Sequence, residues 1–283
     1  MNRLVQTLLL PVSVFTLVSC GNTSNQTITN DVDTTAVVEN KDTSTADNYT
    51  QFKYDMVISN IPFPFEMLDK LIASKAPFNQ QSMNPVGNIS KYNQFNAKAF
   101  NLGVYGADLA YAVTYEQFQQ IGSYVKNTKK LAEDLSIPLA FNQEMMDKYT
   151  KFKDNKDSLA QVVYDSYSKV DATLKSNERL AMAGLVVTGS WLEGLYLTTK
   201  NTGDVAKTDA NKDVYTVIWQ QKLHLENIIK LLEQFNSDAY FAGLISELKG
   251  MLSDLEGTEI DQAKLNSLNK KAEKLRNRII EGL

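Results

Sequence analysis

The run from Leu180 to Leu197 is apolar around nearly its whole helical circumference, with Gly184, Gly189 and Gly194 along it and a single charge, Glu193. A helix with no polar face has no side to turn to water, so this run predicts a central helix covered by other elements. A membrane span is the rival reading. A carboxylate and three glycines in so short a stretch weigh against it.

The rest of the chain supplies helices to surround that run. Pro64 suits the first turn of a helix carrying Phe65, Leu68, Leu71 and Ile72 on one side. A loop from Ala76 to Ile89, with Pro77, Pro85 and Gly87, leads to a second helix predicted from about Ser90 to Ala112. Thr114 with Gln117 three residues on reads as a capping box for a third helix, which keeps helical spacing until Ser136-Ile137-Pro138 stops it. A fourth uses Met145, Tyr149 and Phe152, and a fifth presents Leu159, Val163, Tyr167, Val170 and Leu174, with Asn177 placed to cap the sixth. Further helices are expected across Val214–Phe235 and Asp238–Leu255. The last is expected from Thr258, with Asp261 as the third-position acid, burying Leu265, Leu268, Ala272, Leu275 and Ile279. Val57–Ile61 is too short to assign as a strand. The pattern predicts an all-α bundle of about eight antiparallel helices, with residues 51–283 as one domain.

Two features of the second helix invite attention. Ala99, Gly103, Ala107 and Ala110 form a stripe of minimal side chains along which another backbone can approach closely. Glycine inside a helix costs about 1 kcal/mol relative to alanine, so close packing is the expected compensation. The second feature is Asp108, which with Glu193 is the carboxylate most exposed to removal from water. Paired across helices they would make an acid and a base, or oxygen ligands of a metal, with Tyr105 and Tyr111 as hydrogen-bonding neighbours. Equally, each would accept hydrogen bonds from tyrosine hydroxyls or from a base such as Arg179, a purely structural arrangement.

Other chemistry is thinly represented. His224 is the only histidine, between Leu223 and Leu225, and no G-x-S-x-G elbow accompanies it. Trp191, Trp219, Tyr196 and Tyr215 would line a ligand cleft or, at helical spacing, fill the core. No His/Cys metal set can be assembled, and no cofactor is expected beyond a covalent lipid.

That lipid comes from the chain's start. Arg3, an apolar segment from Leu8 to Val18 and the sequence Leu17-Val18-Ser19-Cys20 resemble a bacterial lipoprotein signal. The resemblance implies removal of residues 1–19 and diacylglycerol on the sulfur of Cys20, the only cysteine. From Asn22 to Thr50, 15 of 29 residues are Ser, Thr or Asn, a composition that cannot offset its ordering entropy and reads as a disordered tether over residues 20–50. The body beyond it is nearly neutral, which argues against nucleic acid as a partner. The run Leu102–Ala112 resembles a segment of uncharacterised all-helical lipoproteins of the Bacteroidota, a resemblance that implies no activity. Without an acidic run after Cys20, it favours an outer-membrane lipoprotein facing the periplasm. The expected role is binding or structural, with an envelope protein or an apolar ligand as partner. The alternative is a hydrolase using Asp108 and Glu193, and the test between them is whether the two carboxyls share an open cleft or lie sealed.

Overall fold

A computed structural model describes residues 64–137, 141–176, 179–203 and 205–282. The signal segment, Cys20, the tether, Val57–Ile61 and the Asn177 cap lie outside the described residues. Within them the chain is 79% helical without a strand, an all-α bundle. Nine α-helices are described, one for each helical segment read from the sequence. They are α1 (Phe65–Ala73), α2 (Phe95–Thr114), α3 (Phe118–Asp134), α4 (Gln143–Lys151), α5 (Lys156–Ser176), α6 (Leu180–Thr202), α7 (Lys212–Leu232), α8 (Ala239–Leu252) and α9 (Gln262–Ile280).

Two helices form the centre. Every residue of α2 from Ala99 to Thr114 is buried. In α6, 83% of the most apolar window is covered by the other helices. The helix therefore has the length and composition of a membrane span but is enclosed by α1, α2, α5, α7 and α9. The outer helices bury one stripe each. In α9 that stripe is Leu265, Leu268, Ala272, Leu275 and Ile279, none more than 2% exposed, and each large aliphatic contributes roughly 1.5–3 kcal/mol relative to exposure.

The central pair touches backbone to backbone. A Cβ placed on Gly103 would lie 2.0 Å from the Val186 carbonyl oxygen and 2.6 Å from the Ser190 nitrogen. A Cβ on Gly189 would lie 2.1 Å from the Phe100 carbonyl oxygen. Only glycine fits at either place. Ala99, Ala107 and Ala110 are fully buried on the same helix.

Three helix starts differ from the sequence reading. The second helix begins at Phe95, because Val86–Lys91 forms a 3-10 helix instead. The break after it turns the Tyr92 ring into the core, where it is 3% exposed. Thr114 does not cap α3. It is the last residue of α2, and its hydroxyl donates to the Ala110 carbonyl. A Schellman closure competes successfully here: the Gln117 N–H returns to Ala112 O, the Glu116 N–H to Val113 O, and Glu116 takes φ 56°. The final helix starts later than Thr258, since Asp261 is itself the cap and accepts from the Lys264 N–H at 2.8 Å.

Candidate functional site

The carboxyls of Asp108 and Glu193 meet at the α2–α6 interface, both 0% exposed. A third charge joins them from α9. Arg276 grips Glu193 through two parallel bonds, Nε to Oε2 and Nη2 to Oε1, each 2.8 Å. This planar fork is the strongest pairing available to a buried carboxylate. The guanidinium also lies over the Tyr196 ring, 4.3 Å from its centroid.

Two carboxyls facing one guanidinium leave one negative charge too many. Burial first, and then the charge of Glu193, push Asp108 well above the usual carboxylate range, while Arg276 pulls it the other way. Its Oδ2 accepts from the Asn84 backbone N–H at 3.2 Å. Its Oδ1 is buried without a partner so long as it is a bare carboxylate oxygen. A proton on Asp108 resolves both problems, because the acid then donates to Glu193. The layer thus sets an Asp108 that favours its protonated form beside the Glu193–Arg276 ion pair.

Around it the remaining groups are saturated. Asn101 Nδ2 donates to Ala97 O and to Ile279 O, and its Oδ1 accepts from Asn84 Nδ2. Tyr92 donates to Ile280 O, a last-turn carbonyl of α9 with no helical partner, and Asn101 adds a second donor to Ile279 O, which also accepts from the Gly282 N–H. Burial raises the phenols of Tyr92, Tyr105 and Tyr124, and moves Tyr111 up to about 12, so all four keep their protons at neutral pH.

These side chains converge on the segment from Asn79 to Val86. Arg276 donates to Ser82 O at 2.9 Å, Asp108 receives the Asn84 N–H, and Tyr124 donates to Asn84 O at 3.1 Å. Tyr105 donates to Pro85 O, Asn127 to Val86 O, and Tyr111 accepts from the Asn79 N–H. Six backbone groups of an irregular segment are thereby fixed from below. Above them, between this segment and the first turns of α3, runs an open groove of about 760 Å³.

The sequence candidates divide as follows. Asp108 and Glu193 come together, but neither lines the groove. Tyr105 and Tyr111 bond to the segment rather than to the carboxyls. Arg179 is elsewhere, donating to Leu135 O. Trp191 is in the core with its Nε1 on Gln221, Trp219 reaches Gly257 O, and Tyr215 donates to Val205 O. His224 is half-buried on α7. Among the described residues, no group of three or more His, Cys, Asp or Glu side chains is placed to hold a metal.

Arg276, Asn84, Asn101 and the groove were missed. Arg276 had a signal: it sits four residues after Ala272 and three before Ile279, a charge on the buried stripe. Asn84 had none. Set against known proteins, the chain matches no family model, no curated protein and no solved structure.

Proposed function

We propose that this protein is a lipid-anchored, periplasm-facing binding protein of the outer membrane, whose ligand site is the groove between Asn79–Gly87 and α3. The observation that carries the reading is the fixing of six backbone groups of that segment by buried side chains. Irregular backbone held rigid on a scaffold is the usual form of a binding surface, because the ordering cost is met before the ligand arrives. The volume lies within the roughly 300–1,000 Å³ of small-molecule sites. Hydrolysis by Asp108 and Glu193 finds no support, since substrate has no contact with a pair that is fully buried and held by Arg276.

Anchoring rests on the Leu17–Cys20 motif. Mass spectrometry of the protein from its native membrane should show an acylated peptide beginning at Cys20, and an unmodified thiol there would remove the anchor from the proposal. For the groove, amide hydrogen exchange on the full chain, with and without soluble envelope extract, should show protection concentrated in residues 79–87 and 117–124. Protection confined to other regions, or none, would sink the groove reading.

A further inference from the structure

The groove is free of charge. Its polar lining is made of Asn79, Gln80, Gln81, Gln119, Gln120 and Ser123, and none of its lining residues is acidic or basic. In a chain where charged residues make up 22%, such a lining selects against ions. Gln80, Gln81, Gln119 and Ser123 are exposed at the rim, and among the described residues their side chains make no hydrogen bond. Gln120 is different. Its Oε1 is withdrawn from solvent and has no hydrogen-bond partner among the described residues. A buried amide atom without a partner costs free energy whichever terminal atom occupies that place, and a turn of the Gln120 side chain toward a ligand in the groove recovers that cost.

We infer that the groove binds an uncharged saccharide, recognised by side-chain amides and seated over Tyr124 and Phe78; this rests on the groove reading proposed above. Three observations select this class. First, each glutamine amide offers two donors and an acceptor, and a sugar hydroxyl is both donor and acceptor, so the two match without any charge. Second, most of the segment's own carbonyls are already taken: Ser82, Asn84, Pro85 and Val86 each accept from a core side chain, and Asn79 and Gln80 from the backbone. An extended peptide added alongside would find too few free main-chain groups for the continuous ladder by which strand addition gains its affinity. The opposite wall is helical, and the rim is too polar to seat the apolar face of a peptide helix. Third, the floor is aromatic and rigid. Tyr124 is 5% exposed and tied to Asn84 O, and Phe78 is half-buried and stacked on Tyr111 with ring centroids 5.1 Å apart. Of the two, half-buried Phe78 offers apolar surface to the C–H face of a sugar ring, and Tyr124 backs it from the core.

The test uses the purified full chain and a defined panel: maltoheptaose, cellohexaose, xylohexaose and mannohexaose as neutral probes, tetragalacturonate and a heparin hexasaccharide as charged ones, and an uncharged Gly/Ser/Ala peptide as the macromolecular alternative. Binding is read by calorimetry and by hydrogen exchange, and each variant is checked by thermal melting. At least one neutral oligosaccharide should bind and protect residues 79–87. Gln120→Leu and Gln119→Leu should each weaken it by about tenfold or more, which is about 1.4 kcal/mol, while Lys230→Ala on α7 leaves it unchanged. Preference for the charged sugars, or neutral binding that ignores both glutamine substitutions, would overturn the inference. Binding of the peptide alone, with the same sensitivity to Gln120→Leu, would also overturn it while leaving the groove reading in place. If no probe binds, the saccharide assignment fails, and the exchange footprint with envelope extract decides separately whether the groove is a site at all.

Discussion

Helices α2 and α6 meet at two places barely more than a turn apart, and the two are built on opposite principles. At Gly103 and Gly189 the contact is made by removing side chains, so that carbonyl oxygen and Cα approach directly. At Asp108 and Glu193 the same two helices bring two carboxyls out of water and need α9 and the Asn79–Val86 segment to satisfy them. The glycine crossing is self-sufficient. The polar layer is not, and it is through this layer that distant parts of the chain are tied to the central pair. Dispersion and close packing reward any well-shaped neighbour, whereas buried charge tolerates only the partner with the right atoms in the right place.

The largest effect should come from breaking the polar layer. Arg276→Met leaves Glu193 buried without its guanidinium, a loss of the order of 3–5 kcal/mol. Urea melts of the full chain should show it, and groove binding should fall in parallel because Ser82 O loses its donor. A melt within about 1 kcal/mol of the parent would mean the layer is not holding the segment.

Overpacking the other crossing comes next. Gly103→Leu should cost typically 1–3 kcal/mol, and even Gly103→Ala should destabilise, because its methyl would stand 2.0 Å from a backbone oxygen. The sharpening control is Gly243→Ala on α8, where a Cβ meets nothing within 4 Å. There the change should stabilise by up to about 1 kcal/mol. If both alanines stabilise, the α2–α6 contact is looser than described.

Acidity separates the two places most cleanly, and for each pH unit its effect is the smallest of the three. Asp108 is raised in the folded state, so the native protein holds a proton that the unfolded chain releases above about pH 3.9. Its stabilising contribution is complete below that value and is lost as pH rises toward the folded value, by up to about 1.4 kcal/mol per pH unit. Asp108→Asn keeps a donor toward Glu193 and an acceptor for the Asn84 N–H without that proton. Relative to the parent, it should therefore gain stability as pH rises from 4.5 toward neutral, about in proportion to that slope. Gly103→Ala should show a penalty that does not vary with pH. A constant difference between Asp108→Asn and the parent would show that Asp108 is ionised in the fold.

How much of this was legible follows from the same contrast. Burial of α6 was readable because it is written in the lack of a polar face over some twenty residues, whereas for α2 only the stripe of small residues was read and the burial of its whole circumference was not. Gly103 was readable as part of that stripe. The meeting of Asp108 with Glu193 was only half readable: each announced itself as a charge in an apolar run, but the identity of the third partner depends on how α9 docks. Arg179 was a reasonable candidate on composition and the wrong one on geometry. Asn84 and the groove glutamines stand in irregular backbone or on an exposed face, where single residues carry no period. The missed caps have local causes: near Thr114 the end of α2 is closed by returning backbone bonds, and after Thr258 the acid read as a third-position partner is itself the cap.

The tie between Ser82 and Arg276 spans 194 residues of sequence. On a chain that emerges from ribosome or translocon N-terminal end first, the segment that walls the groove is exposed long before α9 exists to hold it. Until then Arg276 is not there to pair with Glu193 or to donate to the Ser82 carbonyl. Fixing of the Ser82 carbonyl and pairing of Glu193 therefore both wait on α9, a helix far from either in sequence.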